Sequence, residues 1–506
     1  MQEANKLRNT INNFLDNRKY SEALIELEFQ IEEYVRQKKD DLFLLAEIAG
    51  SFISLGSEAY NRDSVNKGIK IFVDNKDILK GKVTEDSIDY CLGNGYHALY
   101  KILIQNKPEH FPSPENVNEF LFEAKQSYLK SFKKIDLRNL NNYSIQVLTN
   151  LGNNLNHSGR IVEALQLFDM VLKFNPDFPQ AIVSKADGLT YMIRTTNCPI
   201  TISLFAEIYR LFKIAKDLPI ALEEIKKTVE IGLKKSAKFL EENNFDFTQM
   251  GKELALNEIE YQNHSVEIKY YLDNFLSLSE HGLYCECNGA KTDNLIIGYP
   301  GFVTTDKKII QLELLLNRIK SEYSLSRRLY FDFLTFESID NVHYEELLDG
   351  IINGIHHEKL RTSFRLCFGI LDKIAEGICS LFELEVKDGE SIYFESFWNN
   401  QKASKDRWSK INSIKNIHLT ALYSIACDLN KRNGEFGYYK IWRNRLEHGV
   451  FSLTKSDDSD YKMLTEKLFS EHTTITNFEN KTKHLLQLTR SAIFSFVFCV
   501  RQELIN

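Results

Sequence analysis

Apolar residues recur at helical spacing along most of the C-terminal half of the chain. The segment TSFRLCFGILDKIAEGICSLFEL, residues 362–384, carries them on a wide face, which predicts a helix buried in a core. The same spacing predicts helices with these bounds: Lys308–Glu322, Tyr344–Ile355, Arg361–Leu384, Lys410–Arg432, Gly437–Val450 and Tyr461–Leu504. This half is therefore expected to form a helical bundle.

The N-terminal half shows a pattern of helix pairs, clearest at residues 145–176, IQVLTNLGNNLNHSGRIVEALQLFDMVLKFNP. Small Gly152 and Ala164 let two antiparallel helices approach closely, and Pro176 ends the second helix. The apolar positions between them are Leu151, Leu155, Phe168 and Val171. This arrangement strongly resembles a tetratricopeptide repeat.

Weaker copies of the repeat pattern flank this segment. Their key positions are Ala23, then Leu92, Gly93 and Tyr96 with Ala124, Tyr128 and Ser131, and then Ala186. One repeat cannot bury its own apolar face, so several stacked units are required. They are expected to form a short superhelix with a concave surface that binds a protein partner or a trigger.

The predicted fold class is all-α, an N-terminal solenoid of tetratricopeptide-like repeats followed by a C-terminal helical bundle. The expected domains are residues 1–240 for the repeats, 241–297 for a connecting helical segment and 298–506 for the bundle. The segment IIGYPGFVTTDKK, with Pro300 and paired glycines, predicts the loop at which the second domain begins.

Composition supports a soluble helical protein of more than one domain. The chain has 506 residues, of which 43% are hydrophobic and 26% charged, with only 8 prolines. The longest apolar run, SAIFSFVFCV, is about half the length that crosses a bilayer, and no signal-peptide pattern opens the chain. We therefore expect a cytoplasmic protein that does not insert in a membrane.

Candidate metal ligands occur in HGLYCECNGAK, where His281 precedes Cys285 and Cys287. A structural zinc site needs four ligands at regular spacing, and no second pair follows nearby. The sequence therefore favours a turn with two incidental thiols, and neither a metal nor a cofactor is expected. No Gly-rich phosphate loop of the Walker type is present, which argues against hydrolysis of ATP or GTP.

The candidate catalytic motif is RNRLEH, near the end of the predicted helix Gly437–Val450. Arg443 is followed by the polar Asn444, and His448 comes five positions after Arg443. Leu446 would keep the helix docked. Gly449 follows where the end of a helix often adopts left-handed geometry.

These residues resemble the motif of the HEPN superfamily, a helical-bundle fold whose ribonuclease members carry Arg, a polar residue, a few intervening positions and His. The resemblance covers about the last 200 residues in helical order, with its specificity in the six residues of the motif. It implies a metal-independent endoribonuclease with Arg443, His448 and Asn444 as catalytic residues. Fusion to tetratricopeptide-like repeats resembles the prokaryotic antiviral defence and toxin branches, and transfer RNA is the substrate this resemblance suggests.

The chemistry of RNA cleavage without a metal needs these residue types. The 2′-hydroxyl attacks the adjacent phosphate, and histidine suits the proton transfer because its unperturbed pKa is about 6.5. The planar, permanently charged guanidinium of Arg443 can hold two oxygens of the transition state. The expected products are a 2′,3′-cyclic phosphate and a 5′-hydroxyl, and DNA should not be cut.

A basic segment surrounds the motif, although the whole chain carries a net charge of −7. Residues 401–445 contain ten basic side chains and three acidic ones, with tyrosine and tryptophan between them. Such a mixture is typical of contact with single-stranded RNA. The predicted RNA-binding residues are Arg445, Lys440, Trp442, Tyr439, Arg407 and Lys410. The alternative is that the tryptophans are core aromatics and the lysines only solvate a surface.

Helix geometry suggests that a second copy of the chain completes the site. Five positions at about 100° per residue separate Arg443 and His448 by roughly 140°. Either the last turn loosens at Gly449, or two motif helices pair across a dimer, as in HEPN ribonucleases. We therefore expect a homodimer formed through the C-terminal domain.

Two alternatives to a catalytic role of Arg443 and His448 remain open. Arg443 and Glu447 have the spacing of a helical surface salt bridge, and His448 could serve as a cation at the helix end. In that case the protein would be a repeat adaptor whose C-terminal domain only dimerises or binds nucleotide.

Overall fold

The computed structural model consists mostly of α-helices joined by short loops. It describes residues 1–37, 39–116, 120–219, 223–298, 306–335, 353–398, 405–455 and 471–504. The first twelve helices are α1 (Gln2–Asp16), α2 (Tyr20–Arg36), α3 (Leu42–Glu58), α4 (Arg62–Asp74), α5 (Lys76–Leu79), α6 (Glu85–Asn106), α7 (Leu121–Phe132), α8 (Asn142–His157), α9 (Ile161–Phe174), α10 (Pro179–Thr196), α11 (Thr201–Asp217) and α12 (Glu223–Glu242).

The later part of the chain adds further helices and two short strands. Its elements are α13 (Met250–Gln262), α14 (Val266–Asp273), α15 (Lys307–Thr335), α16 (Ile355–Leu381), α17 (Lys405–Ser413), α18 (Ile417–Asp428), α19 (Tyr438–His448), β1 (Phe451–Thr454), β2 (Glu471–Thr474) and α20 (Ile475–Glu503). Single turns of 3₁₀ helix occur at Phe247–Gln249 and His281–Leu283. The all-α prediction is confirmed.

The chain divides into two compact units. The first comprises residues 1–158 and 170–176, and the second comprises residues 159–169 and 177–506. The predicted domain limits follow sequence patterns rather than packing, and they stay a prediction. The predicted opening loop at Pro300 lies outside the described residues.

In the first unit, small residues set how closely neighbouring helices pack. A Cβ at Gly93 of α6 would lie 2.6 Å from the ring of Tyr128 of α7, so only glycine permits this approach. The Tyr128 hydroxyl then donates to Oδ1 of Asn94 at 2.8 Å. The small residue and the aromatic ring that the repeat pattern predicted are therefore in contact.

The clearest repeat segment has the helices and the burial that its pattern predicts. Helices α8 and α9 cover it, and α9 ends two residues before Pro176. The buried pattern positions are Leu151, Leu155, Ala164, Phe168 and Val171. The N-terminal region is thus helical and consistent with repeats.

In the second unit, three long helices form the core of the C-terminal region. Helix α15 packs against α16, and α16 packs against α20. The apolar run of residues 491–500 lies inside α20 and is buried throughout. None of the described helices is long and apolar enough to span a bilayer.

The predicted helix Lys410–Arg432 is wrong in one respect, because the chain forms two helices there. Asn416 interrupts the pattern by capping α18, where its side-chain oxygen accepts hydrogen bonds from the backbone N–H groups of His418 and Leu419 at 3.1 and 3.2 Å. Two other predicted helices, Tyr344–Ile355 and Tyr461–Leu504, fall partly outside the described residues, and the second is wrong at Glu471–Thr474, which form a strand.

The strands were not predicted from the sequence. β1 follows the motif helix and pairs in parallel with β2, with Phe451 opposite Glu471 and Thr454 opposite Thr474. Four residues per strand are too few to produce a clear alternating pattern. The pair lies between α19 and α20 in chain order.

Candidate active site

The motif helix α19 is docked on the core by its aromatic side chains. Tyr439 and Trp442 are buried, and their rings lie 5.7 and 6.2 Å from the ring of Phe364 of α16, measured between centroids. Trp442 also packs on Phe478 of α20 at 5.7 Å. Residues 439 and 442 share one face of the helix, so other faces remain available for the polar motif.

The loop before α19 fixes where this helix begins. The Phe436 N–H donates to the carbonyl oxygen of Asp428, the last residue of α18, at 2.8 Å. A Cβ at Gly437 would lie 2.4 Å from the carbonyl oxygen of Asn430, so this close turn requires glycine. The start of the motif helix is therefore set by backbone contacts.

The three predicted catalytic residues lie on the less buried part of α19. Arg443 and Asn444 are half-buried, and His448 is exposed in the last turn. Nη1 of Arg443 donates to Oδ1 of Asn444 at 3.3 Å. Since α19 remains helical through His448, Arg443 and His448 project in directions about 140° apart.

The salt bridge considered as an alternative is not formed. Within the described part of the chain, no ion pair joins Arg443 to Glu447, and the hydrogen bond found for the Arg443 guanidinium is the one to Asn444. Both Glu447 and His448 are exposed. The guanidinium is thus not neutralised by the acid one turn further along.

The expected left-handed geometry at Gly449 is wrong. Its φ and ψ are −153° and −152°, an extended conformation that leads directly into β1. The Gly449 N–H still donates to the carbonyl oxygen of Arg445 at 3.0 Å, so the last turn closes normally. The last turn does not loosen to bring Arg443 and His448 together.

Sequence reasoning missed an acid beside the motif, Asp372 of α16. Burial raises the pKa of Asp372, and Glu395 acts in the same direction, whereas the Phe394 N–H and the charges of Lys440 and Arg443 lower it. Oδ1 of Asp372 accepts the Phe394 N–H at 2.9 Å. Asp372 therefore lies within electrostatic reach of the Arg443 guanidinium. Asp372 is one of three acids in residues 362–384, so no signal in the sequence distinguished it.

Comparison with known protein families identifies the C-terminal region. Residues 303–503 match the family described as LA2681-like HEPN. This region is similar to HEPN domains, and we call the matched residues the HEPN domain. The match runs from just before α15 to the last residue of α20 and includes the RNRLEH motif. No curated protein matches the chain.

Two aromatic residues predicted to stack on RNA bases have another role in the HEPN domain. Tyr439 is fully buried and Trp442 is 7% exposed, so neither ring face is open to a base. The Tyr439 hydroxyl instead hydrogen-bonds with Nδ1 of His484 of α20 at 3.0 Å. The alternative of core packing, which concerned the tryptophans, describes Trp442, and Tyr439 is buried in the same way.

Three predicted RNA-binding cations are engaged by nearby acceptors. Arg407 forms a two-pronged ion pair with Glu390 at 2.8 and 3.0 Å, and Lys440 pairs with Glu395. Nζ of Lys410 donates to the carbonyl oxygen of Glu383 at 3.0 Å. Two acids before α17, Glu390 and Glu395, thus pair with cations of the basic segment, and a count over residues 401–445 does not include them.

The remaining cations of the basic segment differ in exposure. Arg445 is half-buried, with its side chain beside Gly449. Lys415, between α17 and α18, and Lys431 and Arg432, in the loop before α19, are exposed, whereas Lys402 lies outside the described residues. The exposed basic groups near the motif are therefore fewer than the sequence suggested.

Proposed function

We propose that the HEPN domain is an endoribonuclease that cleaves RNA without a metal ion. HEPN domains are commonly ribonucleases, which supports this class of activity. The observation that carries the proposal is that the RNRLEH motif lies within the matched region, with His448 exposed and Arg443 not paired to Glu447. The motif groups thus remain available to a substrate.

In this proposal His448 transfers the protons. The imidazole takes the proton of the attacking 2′-hydroxyl or gives one to the leaving 5′-oxygen, and histidine performs either step near neutral pH. Exposure at the end of α19 leaves room for an RNA strand to approach the ring. Cleavage by this route yields a 2′,3′-cyclic phosphate and a 5′-hydroxyl.

Arg443 stabilises the charge that develops on the non-bridging oxygens of the phosphate. A guanidinium can donate two parallel hydrogen bonds to such oxygens. Asn444 helps to orient it through the 3.3 Å contact, and Asp372 contributes a nearby carboxyl group. The positions of Asn444 and Asp372 are compatible with an Arg443 guanidinium that is oriented to bind a phosphate.

A second copy of the chain supplies the missing alignment. Because α19 is a regular helix up to His448, Arg443 and His448 of one chain point to different sides of it. Two motif helices that face each other in a dimer would place Arg443 of one chain beside His448 of the other. We therefore propose a homodimer through the HEPN domain. Light scattering should give twice the mass of 58.8 kDa, and a fully active monomer would contradict this arrangement.

The N-terminal helices act in this proposal as a sensor or a binding platform. Stacked helical repeats form extended surfaces suited to a protein partner or a trigger. Such an arrangement fits a cytoplasmic antiviral defence or toxin ribonuclease, with transfer RNA as the first substrate to examine. Removal of a bound partner would then release the nuclease activity.

The proposal is tested by incubating the purified full-length protein with total RNA in EDTA. Cleavage is expected to persist in EDTA, to leave 2′,3′-cyclic phosphates, and to spare DNA of the same sequence. Arg443→Ala and His448→Ala should each slow it by about 10²-fold or more. Undiminished cleavage by both variants would overturn the assignment of the site.

The second candidate function is a non-catalytic repeat adaptor. The burial of Tyr439 and Trp442 and the pairing of Arg407 favour it, because they remove predicted RNA contacts. An adaptor would leave RNA intact with and without EDTA, yet still dimerise and bind a partner through its repeats.

A further inference from the structure

Three metal-ligating side chains converge in the loop before the HEPN domain. His281, Cys285 and Cys287 are half-buried, and their ligand atoms form a cluster among the described residues. Nδ1 of His281 lies 3.6 Å from Sγ of Cys287 and 3.9 Å from Sγ of Cys285. The two sulfur atoms lie 2.9 Å apart.

These distances are close to those of ligands around one tetrahedral zinc ion. With Zn–S and Zn–N bonds of about 2.3 and 2.05 Å, tetrahedral geometry separates sulfur from nitrogen by about 3.6 Å and sulfur from sulfur by about 3.8 Å. Both nitrogen–sulfur distances agree with this geometry within about 0.4 Å. The sulfur atoms need to separate by roughly 0.9 Å, which small rotations of the two cysteine side chains can provide.

The backbone of the loop is built around the two thiols. The N–H of Cys287 is directed at the sulfur of Cys285, and the N–H of Ala290 at the sulfur of Cys287. Hydrogen bonds of this kind favour thiolates, the form in which cysteine binds metals.

The loop is also held in place from outside the cluster. Hydroxyl groups of Ser277 and Ser279 donate to the carbonyl oxygens of Ala290 and Gly289 at 2.5 and 2.8 Å. A Cβ at Gly289 would lie 3.0 Å from the His281 ring, so a larger residue there would crowd the imidazole. The ligands are therefore presented by an ordered turn.

We propose that His281, Cys285 and Cys287 bind a thiophilic metal ion, with Zn²⁺ as the first candidate. The fourth position is taken by water, because no fourth ligand side chain converges with these three in the described part of the chain. The Tyr284 hydroxyl, 3.0 Å from Nδ1 of His281, moves aside when the metal binds. The sequence places the same three residues together but favours a turn with two incidental thiols, because it offers no fourth ligand nearby.

The proposed ion would brace the contact between this loop and α20. Nε of Arg490 donates to the carbonyl oxygen of Ser277 at 2.7 Å, and Arg501 forms a buried ion pair with Glu280 at 2.8 Å. Both arginines belong to the last helix of the HEPN domain. The role is structural and does not depend on the proposed nuclease activity.

The test uses the full-length protein, reduced, stripped of metal with a chelator and titrated with Co²⁺ and then with Zn²⁺. One equivalent of Co²⁺ should produce sulfur-to-cobalt charge-transfer absorption and the visible bands of tetrahedral cobalt, and Zn²⁺ should remove both. Cys285→Ser, Cys287→Ser and His281→Asn should lose this binding. Cys91→Ser, which changes another half-buried cysteine, should keep it.

The cobalt spectrum of the wild-type protein tests the proposed metal site even if a variant fails to fold. A fully reduced protein without stoichiometric, sulfur-ligated cobalt would overturn the proposal. So would a disulfide between Cys285 and Cys287 in the protein as isolated, detected as two fewer free thiols than the eight cysteines of the chain. Full binding by the Cys285→Ser and Cys287→Ser variants would also overturn it.

Discussion

Arg160, just before α9, and Asp428, the last residue of α18, form a buried ion pair across 268 positions of sequence. The guanidinium also binds Glu163, with Nε donating to Oε2 at 2.7 Å, and Ser424, at 3.3 Å. The hydroxyl of Ser491 in α20 donates to Glu163 at 2.9 Å. This network joins α9, α18 and α20, and the backbone carbonyl of its Asp428 also accepts the Phe436 N–H of the loop that precedes the motif helix.

Replacing Arg160 with methionine should strongly destabilise the second unit. The change leaves the mostly buried carboxylates of Glu163 and Asp428 without the Arg160 cation, so a loss of about 3–5 kcal/mol in unfolding free energy is expected. Urea denaturation measures it. Arg138→Met, which removes an exposed Arg–Asp pair, is the matched control and should have no measurable effect.

The two glycines Gly93 and Gly50 should respond in opposite ways to alanine. At Gly93 a Cβ would meet the Tyr128 ring at 2.6 Å, so Gly93→Ala should cost about 1–3 kcal/mol. At Gly50, inside α3, a Cβ would meet nothing within 4 Å, so Gly50→Ala should stabilise the helix by up to about 1 kcal/mol. Equal thermal shifts for the two variants would show that the α6–α7 approach is not as close as described.

His418 should make the protein sensitive to mild acid. Burial lowers the pKa of His418 from 6.5 to about 3, and its Nε2 contacts the carbonyl oxygen of Thr195 at 3.2 Å. Below about pH 6.5 the unfolded chain therefore binds a proton at this histidine, whereas the folded protein does not. The free energy of unfolding falls as the pH drops from 6.5 towards 3. His418→Gln should reduce this slope by about 1.4 kcal/mol per pH unit between pH 6 and 4. Unfolding curves that keep the wild-type slope would contradict the prediction.

Motif variants should lose RNA cleavage without losing the fold. His448→Ala should slow cleavage by about 10²–10⁴-fold, the usual contribution of a general acid or base. Arg443→Ala should cost about 10²–10³-fold, and Arg443→Lys should recover only part of it, because an ammonium cannot bind two oxygens in one plane. Circular dichroism and melting temperature should match wild type. Arg318→Ala, which changes an exposed arginine of α15, serves as the activity control.

Mixing the two inactive variants tests whether the site is shared between chains. If Arg443 of one chain acts with His448 of the other, mixed dimers of Arg443→Ala and His448→Ala contain one intact site. Cleavage should then recover to as much as a quarter of the wild-type rate per chain, since about half of randomly mixed dimers are heterodimers and each has one of two sites. An inactive mixture that light scattering shows to contain dimers would assign the whole site to one chain.

Local sequence patterns predicted most of the helical elements. The wide apolar face of residues 362–384 became the buried helix α16, and the RNRLEH segment became the end of α19. These predictions succeeded because helical periodicity and chain stops are local properties. The two-helix break at Asn416 was also encoded locally, as an N-cap.

The same patterns were poor guides to what each side chain contacts. Tyr439 and Trp442 were predicted to stack on RNA bases, but they form the buried face of the motif helix. Lys440, predicted to bind RNA, is paired with Glu395. Charge and aromatic content along a segment do not reveal which acids or rings another segment brings near.

The sequence by itself determined the helical class, the motif and its position near the end of a helix, because these depend on residues within a few turns of one another. Only the tertiary structure decided the long-range partners: Asp372 near Arg443, and Asp428 paired with Arg160. Burial and long-range pairing arise from how helices pack, and no spacing along the chain reports them.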